Sequence, residues 1–417
     1  MTADFADFSP QLKDFYADGR PELVAYDNHP TLRLLRKRYD WTGALHEVPV
    51  WYEAAQAVGH DFSTVIGDKA AGKHIRFAVS TVDYYGVASI DRLTMKRSAG
   101  ANARAFLSAA TSEIDGVLSV LGNRISHELF RDPAAVLGRI SAVASVNGTN
   151  DQLTLTNRED VTQFAVGMRL VASDGSAAAG ATVDTTVLEV ASIDRDAGTM
   201  LLVDEGTSTS ANITTDWGAD AATNNDYLHR AGDVTSTSNS LGMSGFEAWC
   251  PATAPTSGDS FFGVDRSVDA TRLAGNRIDV SAFEIGDALL EAQRRQYEDG
   301  NKISHFALNP SQFLRLVREL ENKVMFDESL SKRIGTEAII VGSGARVYQD
   351  PSCPVNVGWG FDNSKHYLCS VGKLPEIFDE DFKMLRESNA DAYEVRMGGY
   401  GNYCNKQPGT LIRLAFA

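Results

Sequence analysis

Residues 98–132 read SAGANARAFLSAATSEIDGVLSVLGNRISHELFRD, and this stretch decides the architecture. At helical spacing Ala103, Leu107, Ala110, Ile114, Val117, Leu121, Ile125 and Leu129 share one face, widened by Phe106, Leu118 and Phe130. Arg104, Glu113, Asp115, Asn123, Arg124 and Glu128 occupy the other. Asp132-Pro133 ends the helix, because proline disfavours helical geometry at the residue before it. A rise of about 1.5 Å per residue makes the rod roughly 43 Å long. Gly116 and Gly122 each cost about 1 kcal/mol against alanine. Packing on a large apolar surface must therefore hold the rod together.

On the N-terminal side, residues 47–97 predict strands at Val48–Tyr52, Ile75–Val79 and Tyr84–Ile90. The polar stretch Gly59 to His74, with Gly67, Asp68, Lys69, Gly72 and Lys73, belongs at the tip of a hairpin. A two-stranded excursion of this length is marginal alone in water, so it must lie on its own chain or on a neighbour. Residues 1–46 read as an arm, with Phe5, Phe8, Leu12, Phe15 and Tyr16 scattered among acids. Within it Leu32, Leu35 and Tyr39 predict a short helix ringed by Arg33, Arg36, Lys37 and Arg38. A basic cluster can meet nucleic acid or an acidic partner; without interleaved aromatics it reads as a solvated or subunit-facing surface.

On the C-terminal side no lysine occurs between Lys96 and Lys302, and residues 139–260 are rich in Ala, Ser, Thr, Gly, Asn and Asp. Short strands at Ile140–Val146, Leu153–Thr156, Met168–Ala172, Thr186–Ile193 and Met200–Val203 predict a small all-β module inserted in a host domain. Asn147-Gly148 and Asp196-Ala197-Gly198 supply turns. Asp194-x-Asp196-x-Gly198 has the spacing of a calcium loop but lacks its terminal glutamate, so a hairpin turn is the reading. Residues 206–259 form a connector with a strand near Tyr227-Leu228-His229 and an anchor at Phe246–Trp249.

From Asp279 onward helices and strands alternate. Ser281 and Glu284 predict a capping box for a helix to Glu298 closed by Gly300. Asn309-Pro310 caps and opens a second helix through Phe313, Leu314, Val317 and Leu320. Further strands are expected at Phe306–Leu308, Ala338–Val341, Ala345–Tyr348, His366–Ser370, Tyr393–Met397 and Thr410–Ala415. Gly342-Ser343-Gly344 joins two of them as a turn rather than a phosphate loop, since no Lys-Ser/Thr follows.

Composition excludes several functions. The 417 residues carry 39 basic and 55 acidic side chains, net −16, which disfavours nucleic-acid binding through a general field. Four cysteines, none before Cys250, show no metal or disulfide spacing and read as buried thiols. No apolar run approaches the ~20 residues of a membrane span, and the acidic start Met1-Thr2-Ala3-Asp4 is not a secretory signal. The eight histidines are dispersed, without HExxH, and no G-x-S-x-G is present. His305 and His366 fall in apolar strands as core histidines, and Asp379-Glu380-Asp381 reads as a solvated acidic turn. No catalytic, cofactor or metal residue is assigned.

The order of parts resembles the major capsid proteins of tailed bacteriophages, an α+β fold first described for phage Hong Kong 97 and shared with encapsulin nanocompartments. The residues that carry the likeness are Val48-Pro49-Val50, Phe77-x-Val79, Ser98 before the long helix, Leu308-Asn309-Pro310-Ser311-x-Phe313, and Asp391-Ala392-Tyr393-Glu394-x-Arg396 to Pro408. The resemblance implies an N-terminal arm (1–47), an extended loop (48–97), and a spine helix opening the peripheral domain (98–140). An inserted β domain (141–205) and peripheral strands with a connector (206–240) follow, then an axial domain (241–374) and a return to the peripheral domain (375–417). It further implies a non-enzymatic virion subunit that forms pentamers and hexamers around double-stranded DNA, without membrane or cofactor. The short arm points to a separate scaffolding protein, beside a portal and a decoration protein. Lys69 and Lys73 lie in the loop that is crosslinked in the founding member, but no crosslink partner is assigned. An encapsulin-like compartment and a β-rich tail or surface protein are the alternatives.

Overall fold

The computed structural model describes residues 20–54, 57–67, 72–91, 103–134, 136–174, 183–184, 186–218, 221, 226–234, 241–323, 339–342, 344–378, 385–386 and 391–416. The chain divides into two compact units, residues 1–126 with 249–417, and residues 127–248.

The first unit opens with helices α1 (Arg20–Tyr26) and α2 (Pro30–Leu34) and strand β1 (Arg36–Arg38). These are not a free arm. Ala25, Tyr26, His29, Thr31, Leu32 and Leu35 are buried, and β1 pairs in parallel with a distant strand at Tyr367–Cys369. The helix expected through Tyr39 therefore stops at Leu34, and Arg36–Arg38 pair instead with Tyr367–Cys369. Residues 1–19 lie outside the described residues.

Next come β2 (Leu45–Glu53), α3 (Phe62–Gly67), β3 (Lys73–Ser80), β4 (Val82–Asp91) and the long helix α4 (Ala103–Leu129). Strands β2 and β3 form a two-stranded antiparallel sheet. Helix α4 buries Ile114, Leu118, Leu121, Ile125 and Leu129, the face the periodicity predicts. Glu128 departs from that pattern: it is buried, and its Oε2 accepts the Met243 amide at 3.0 Å. An exposed-face assignment fails there because the last turn of α4 is enclosed on more than one side. Gly122 is explained by a close approach, since a Cβ at that position would sit 1.9 Å from the Ala25 carbonyl oxygen. Gly116 meets nothing within 4 Å.

The second unit is built on a closed barrel of β5 (Gly138–Ala144), β6 (Gln152–Leu155), β7 (Arg169–Ser173), β8 (Leu188–Asp194), β9 (Thr199–Asp204) and β10 (Tyr227–Arg230), with one-turn helices α5 (Ile213–Asp216) and α6 (Phe246–Trp249) after β9 and β10. The sequence closes this module at Glu205; the structure carries it to β10, which pairs with both β5 and β7. Closure removes every strand edge, and without β10 both β5 and β7 would keep an open edge. Ile140, Leu153, Leu170, Leu188 and Leu202 point inward, and Trp217 joins them with its indole N–H on the Thr186 carbonyl at 2.9 Å. The Asp194–Gly198 segment is a turn, with Asp194 Oδ1 accepting the amides of Asp196 and Ala197.

The first unit resumes with a small hairpin of β11 (Ser260–Phe261) and β12 (Val264–Asp265), then β13 (Asn276–Asp279), α7 (Ile285–Glu298), β14 (His305–Leu308), α8 (Pro310–Lys323), β15 (Ile339–Val341), β16 (Ala345–Gln349), β17 (Val357–Phe361), β18 (His366–Ile377), β19 (Leu385–Arg386), β20 (Ala392–Asn405) and β21 (Ile412–Ala415). Six of them make a mixed sheet in the order β13-β21-β17-β14-β16-β15. Strands β18, β19 and β20, with β1 and β4, make a second sheet in which β18 and β20 pair along their length and β20 also carries β4. The expected boundary at residue 375 is displaced in both directions. Strand β18 already belongs to the second sheet from His366, and β21 returns to the first, between β13 and β17.

The Asn309 cap forms as expected, with Oδ1 accepting the Ser311 amide at 2.9 Å. The Ser281–Glu284 capping box does not: Glu284 is the N-cap residue without a side-chain cap bond, and the Ser281 amide turns to Asp279. Gly300, at φ +74°, closes α7.

Candidate assembly surfaces

The β2–α3–β3 excursion has two unlike faces. Alternation along the strands turns Val48, Val50, Phe77 and Val79 inward. Phe77 packs on Trp249 at 5.0 Å and on Phe261 at 6.2 Å between ring centroids. The Ala78 amide bonds the Phe262 carbonyl at 3.1 Å, which pins the base of the excursion to its own unit. The opposite face exposes Leu45 and Trp51, the latter stacked on His74 at 6.2 Å. Ion pairs Arg76–Glu47 (2.7 Å) and Lys73–Glu53 (2.5 Å) link the strands there. Such exposed pairs are screened by water and contribute little to stability. Lys69 lies outside the described residues.

Farther out, the polar stretch holds a helix that its composition does not announce. Phe62 and Ile66 stand four residues apart in α3, on one side, and both face solvent, as does Val58 (89% exposed). Each such side chain would gain about 1.5–3 kcal/mol on full burial. That gain goes unused within the chain.

A second apolar surface lies on the β4–β20 sheet. Its inner face carries Tyr84 and Ala88, and Gly86 sits where a Cβ would come 2.8 Å from Val117 Cγ1 of α4. Its outer face carries Tyr85 and Val87, both more than half exposed. There Tyr85, Phe378 and Tyr400 form an aromatic trio with centroids 6.1–6.3 Å apart. A hydrogen bond with Tyr400, desolvation and the nearby Asp83 push the Tyr85 hydroxyl up to about 12. Tyr85 comes from β4, Tyr400 from β20 and Phe378 from just after β18, so no local pattern announces them.

The basic cluster near Arg36 is not one patch. Lys37 lies over the Tyr26 ring at 4.7 Å, whereas Arg38 lies over Tyr367 at 5.1 Å and pairs with Asp40. Residues 379–381 and 343 lie outside the described residues; Gly342 and Gly344 fall between the paired strands β15 and β16. His366 is a core histidine, bonded to Tyr403 and, at 3.2 Å, to Thr410. All four cysteines are buried. Burial pushes the Cys250 thiol up to about 11 and that of Cys369 to about 12, so neither is a nucleophile at neutral pH. Among the described residues no three His, Cys, Asp or Glu gather as a metal set, and no helix is long and apolar enough to cross a membrane. A buried tie that the sequence does not disclose joins Thr31 to Asp350: Oδ2 accepts the Thr31 hydroxyl at 2.6 Å and its amide at 3.1 Å.

No family model and no curated protein matches the sequence. Solved structures do match. The chain is similar to a chain of the capsid asymmetric unit of cyanophage A-1(L), with 12% identity, a TM-score of 0.52, and coverage of 93% of this chain and 92% of that one. It is also similar to a capsid chain of the native GTA particle (9% identity, TM-score 0.45, 94% and 90% covered) and to the virus-like particle of Pyrococcus furiosus (7%, 0.38, 94% and 95%). The chain has the fold of a phage capsid subunit.

Proposed function

We propose that this chain is the major capsid subunit of a tailed bacteriophage, building an icosahedral shell around double-stranded DNA. The observation that carries this reading is the pairing of a capsid fold over most of the chain with an excursion that turns Trp51, Val58, Phe62 and Ile66 to solvent. An isolated subunit gains nothing from that exposure. A lattice that covers these side chains does.

In the Hong Kong 97 arrangement β2–α3–β3 is the extended loop and α4 the spine helix. The β4–β18–β20 sheet is peripheral, and the six-stranded sheet with α7 and α8 is axial. The barrel is an inserted module. The net charge of −16 keeps the subunit from binding packaged DNA as a polycation would. The reading includes virion localisation after assembly in the bacterial cytoplasm. It also includes pentamers and hexamers as capsomers, a separate scaffolding protein, a portal and a decoration protein, and no enzymatic activity.

Electron microscopy of the protein purified alone and with a co-expressed scaffold tests this. Closed particles are expected, and removal of residues 59–73 should leave a folded subunit that no longer closes them. A strictly monomeric protein under every condition overturns the reading. Particles filled with a protein cargo instead of DNA select the nanocompartment alternative.

A further inference from the structure

The root of the β2–α3–β3 excursion is held differently on its two strands. Strand β3 is held through its backbone: the Ala78 amide donates to the Phe262 carbonyl at 3.1 Å, and the Ser80 carbonyl accepts the Asn402 side-chain amide at 2.9 Å. Strand β2 is held at its start by a side chain. His46 Nε2 lies 3.2 Å from the Tyr367 hydroxyl of β18, with the Trp41 ring 5.3 Å from its own. Farther out, Arg272 donates to the Tyr52 carbonyl at 2.7 Å in an exposed position. Of these four ties, His46 alone changes charge between about pH 5 and 8. Its surroundings oppose a proton. His46 is half-buried, on the face of β2 that carries Val48 and Val50, and is paired with Val79 of β3. The Tyr367 ring already has Arg38 over it at 5.1 Å and Lys406 at 5.5 Å. Asp40, paired with Arg38, is the acid beside them. A proton on His46 therefore sets a third cation around one aromatic ring, against one carboxylate. Burial lowers the His46 pKa from 6.5; Asp40 raises it, and Arg38 and Lys406 lower it again.

We infer that the root of the excursion is an acid-sensitive hinge, with β3 as its pivot and the His46–Tyr367 contact as the clamp that protonation releases. With the clamp closed, His46 takes a proton less readily than it does when open to water. The clamp is therefore whole above about pH 6.5 and weakens below it. The open-to-closed ratio rises by up to about tenfold per pH unit until the closed form is itself protonated. The consequence for assembly rests on the shell proposed above: a closed clamp presents Trp51, Val58, Phe62 and Ile66 in one direction, so that a neighbour meets a preorganised surface.

Electron–electron distance measurement between spin labels at Val58→Cys, on the excursion, and Val268→Cys, on its host, tests this in the full-length free subunit. Both positions are exposed and all four native cysteines are buried, so the new thiols are the accessible ones. One narrow distance distribution is expected at about pH 7.5, and a second, broader population at about pH 5.5. His46→Gln keeps a hydrogen-bonding side chain that takes no proton, and should give the same distribution at both pH values. Lys406→Met removes one of the cations over Tyr367, and should show a smaller acid response than the native background. An acid response undiminished in His46→Gln overturns the proposal, as does a native distribution that pH leaves unchanged. Closed particles from a subunit without the acid response defeat the hinge and leave the shell reading intact; a response abolished by His46→Gln in a subunit that forms no particles does the reverse.

Discussion

The Leu137 amide donates to the Leu228 carbonyl at 2.9 Å, so the strands that enter and leave the barrel run side by side. A module with adjacent ends can be excised at little cost to its host, because loop closure depends weakly on length. Replacing residues 138–230 by a short Gly/Ser linker should leave a soluble protein with a cooperative thermal transition. Joining Leu137 to Thr207 instead strands β10 without its partners β5 and β7, and should give aggregated protein. Equal solubility of the two deletions would show that β10 is dispensable to the barrel.

The two glycines of α4 should respond oppositely to alanine. Gly116→Ala meets open space and gains about 1 kcal/mol of helix propensity. Gly122→Ala drives a methyl into the Ala25 carbonyl and should lose about 1–3 kcal/mol or more, as overpacked sites do. Denaturant melts of both variants decide it; two stabilised proteins would refute the close approach.

Asp350→Ala should destabilise by about 2–4 kcal/mol, since it leaves the buried amide and hydroxyl of Thr31 and the Ser352 amide without their acceptor. Proteolysis should then cut first near residues 30–39. A wild-type melting curve with unchanged cleavage would mean that the Thr31–Asp350 tie contributes nothing.

Acid should weaken the first unit through His366. Burial lowers its pKa from 6.5 to about 3. Below pH 6.5 the unfolded chain binds the proton and the folded one does not. Its contribution is whole above that pH and falls towards pH 3, by up to about 1.4 kcal/mol per unit. Asp132, raised from 3.8 to about 6 by burial and Glu247, acts oppositely: acidification between those values favours the folded form. Comparing wild type with His366→Gln cancels the Asp132 effect. Their melting temperatures should converge between pH 6.5 and 4; parallel curves would exclude the histidine.

What the sequence disclosed, and what it did not, follows from the range of the interactions involved. Helix α4 and the Asn309 cap depend on neighbours a few residues away, and both are where periodicity and capping chemistry place them. Strand β1 is not: Leu32, Leu35 and Tyr39 satisfy a helical period, but the pairing of Arg36–Arg38 with Tyr367–Cys369 decides the outcome. Strand β17 is hidden because Gly358 and Gly360 suppress its strand character. Packing demands those glycines, since a Cβ at Gly360 would lie 2.6 Å from Ile412 Cγ2 and one at Gly358 would lie 2.8 Å from Leu308 Cδ2. Of the candidate surfaces, the hairpin was legible in its alternating strands. The outward pair Phe62 and Ile66 was masked by polar neighbours.

Strand β21 lies between β13 and β17, and β13 has no other strand neighbour among the described residues. A ribosome that has finished β13 must therefore go on to residues 412–415 before that edge acquires a partner. At about 5–20 residues per second the wait is on the order of ten seconds. During it Ile278 and Val280, buried in the finished sheet, lack the part of their cluster that Ile412 and Leu414 supply. The nascent subunit is thus obliged to remain incomplete, and dependent on whatever shields exposed strands in the cell, until almost the whole of this sequence has been made.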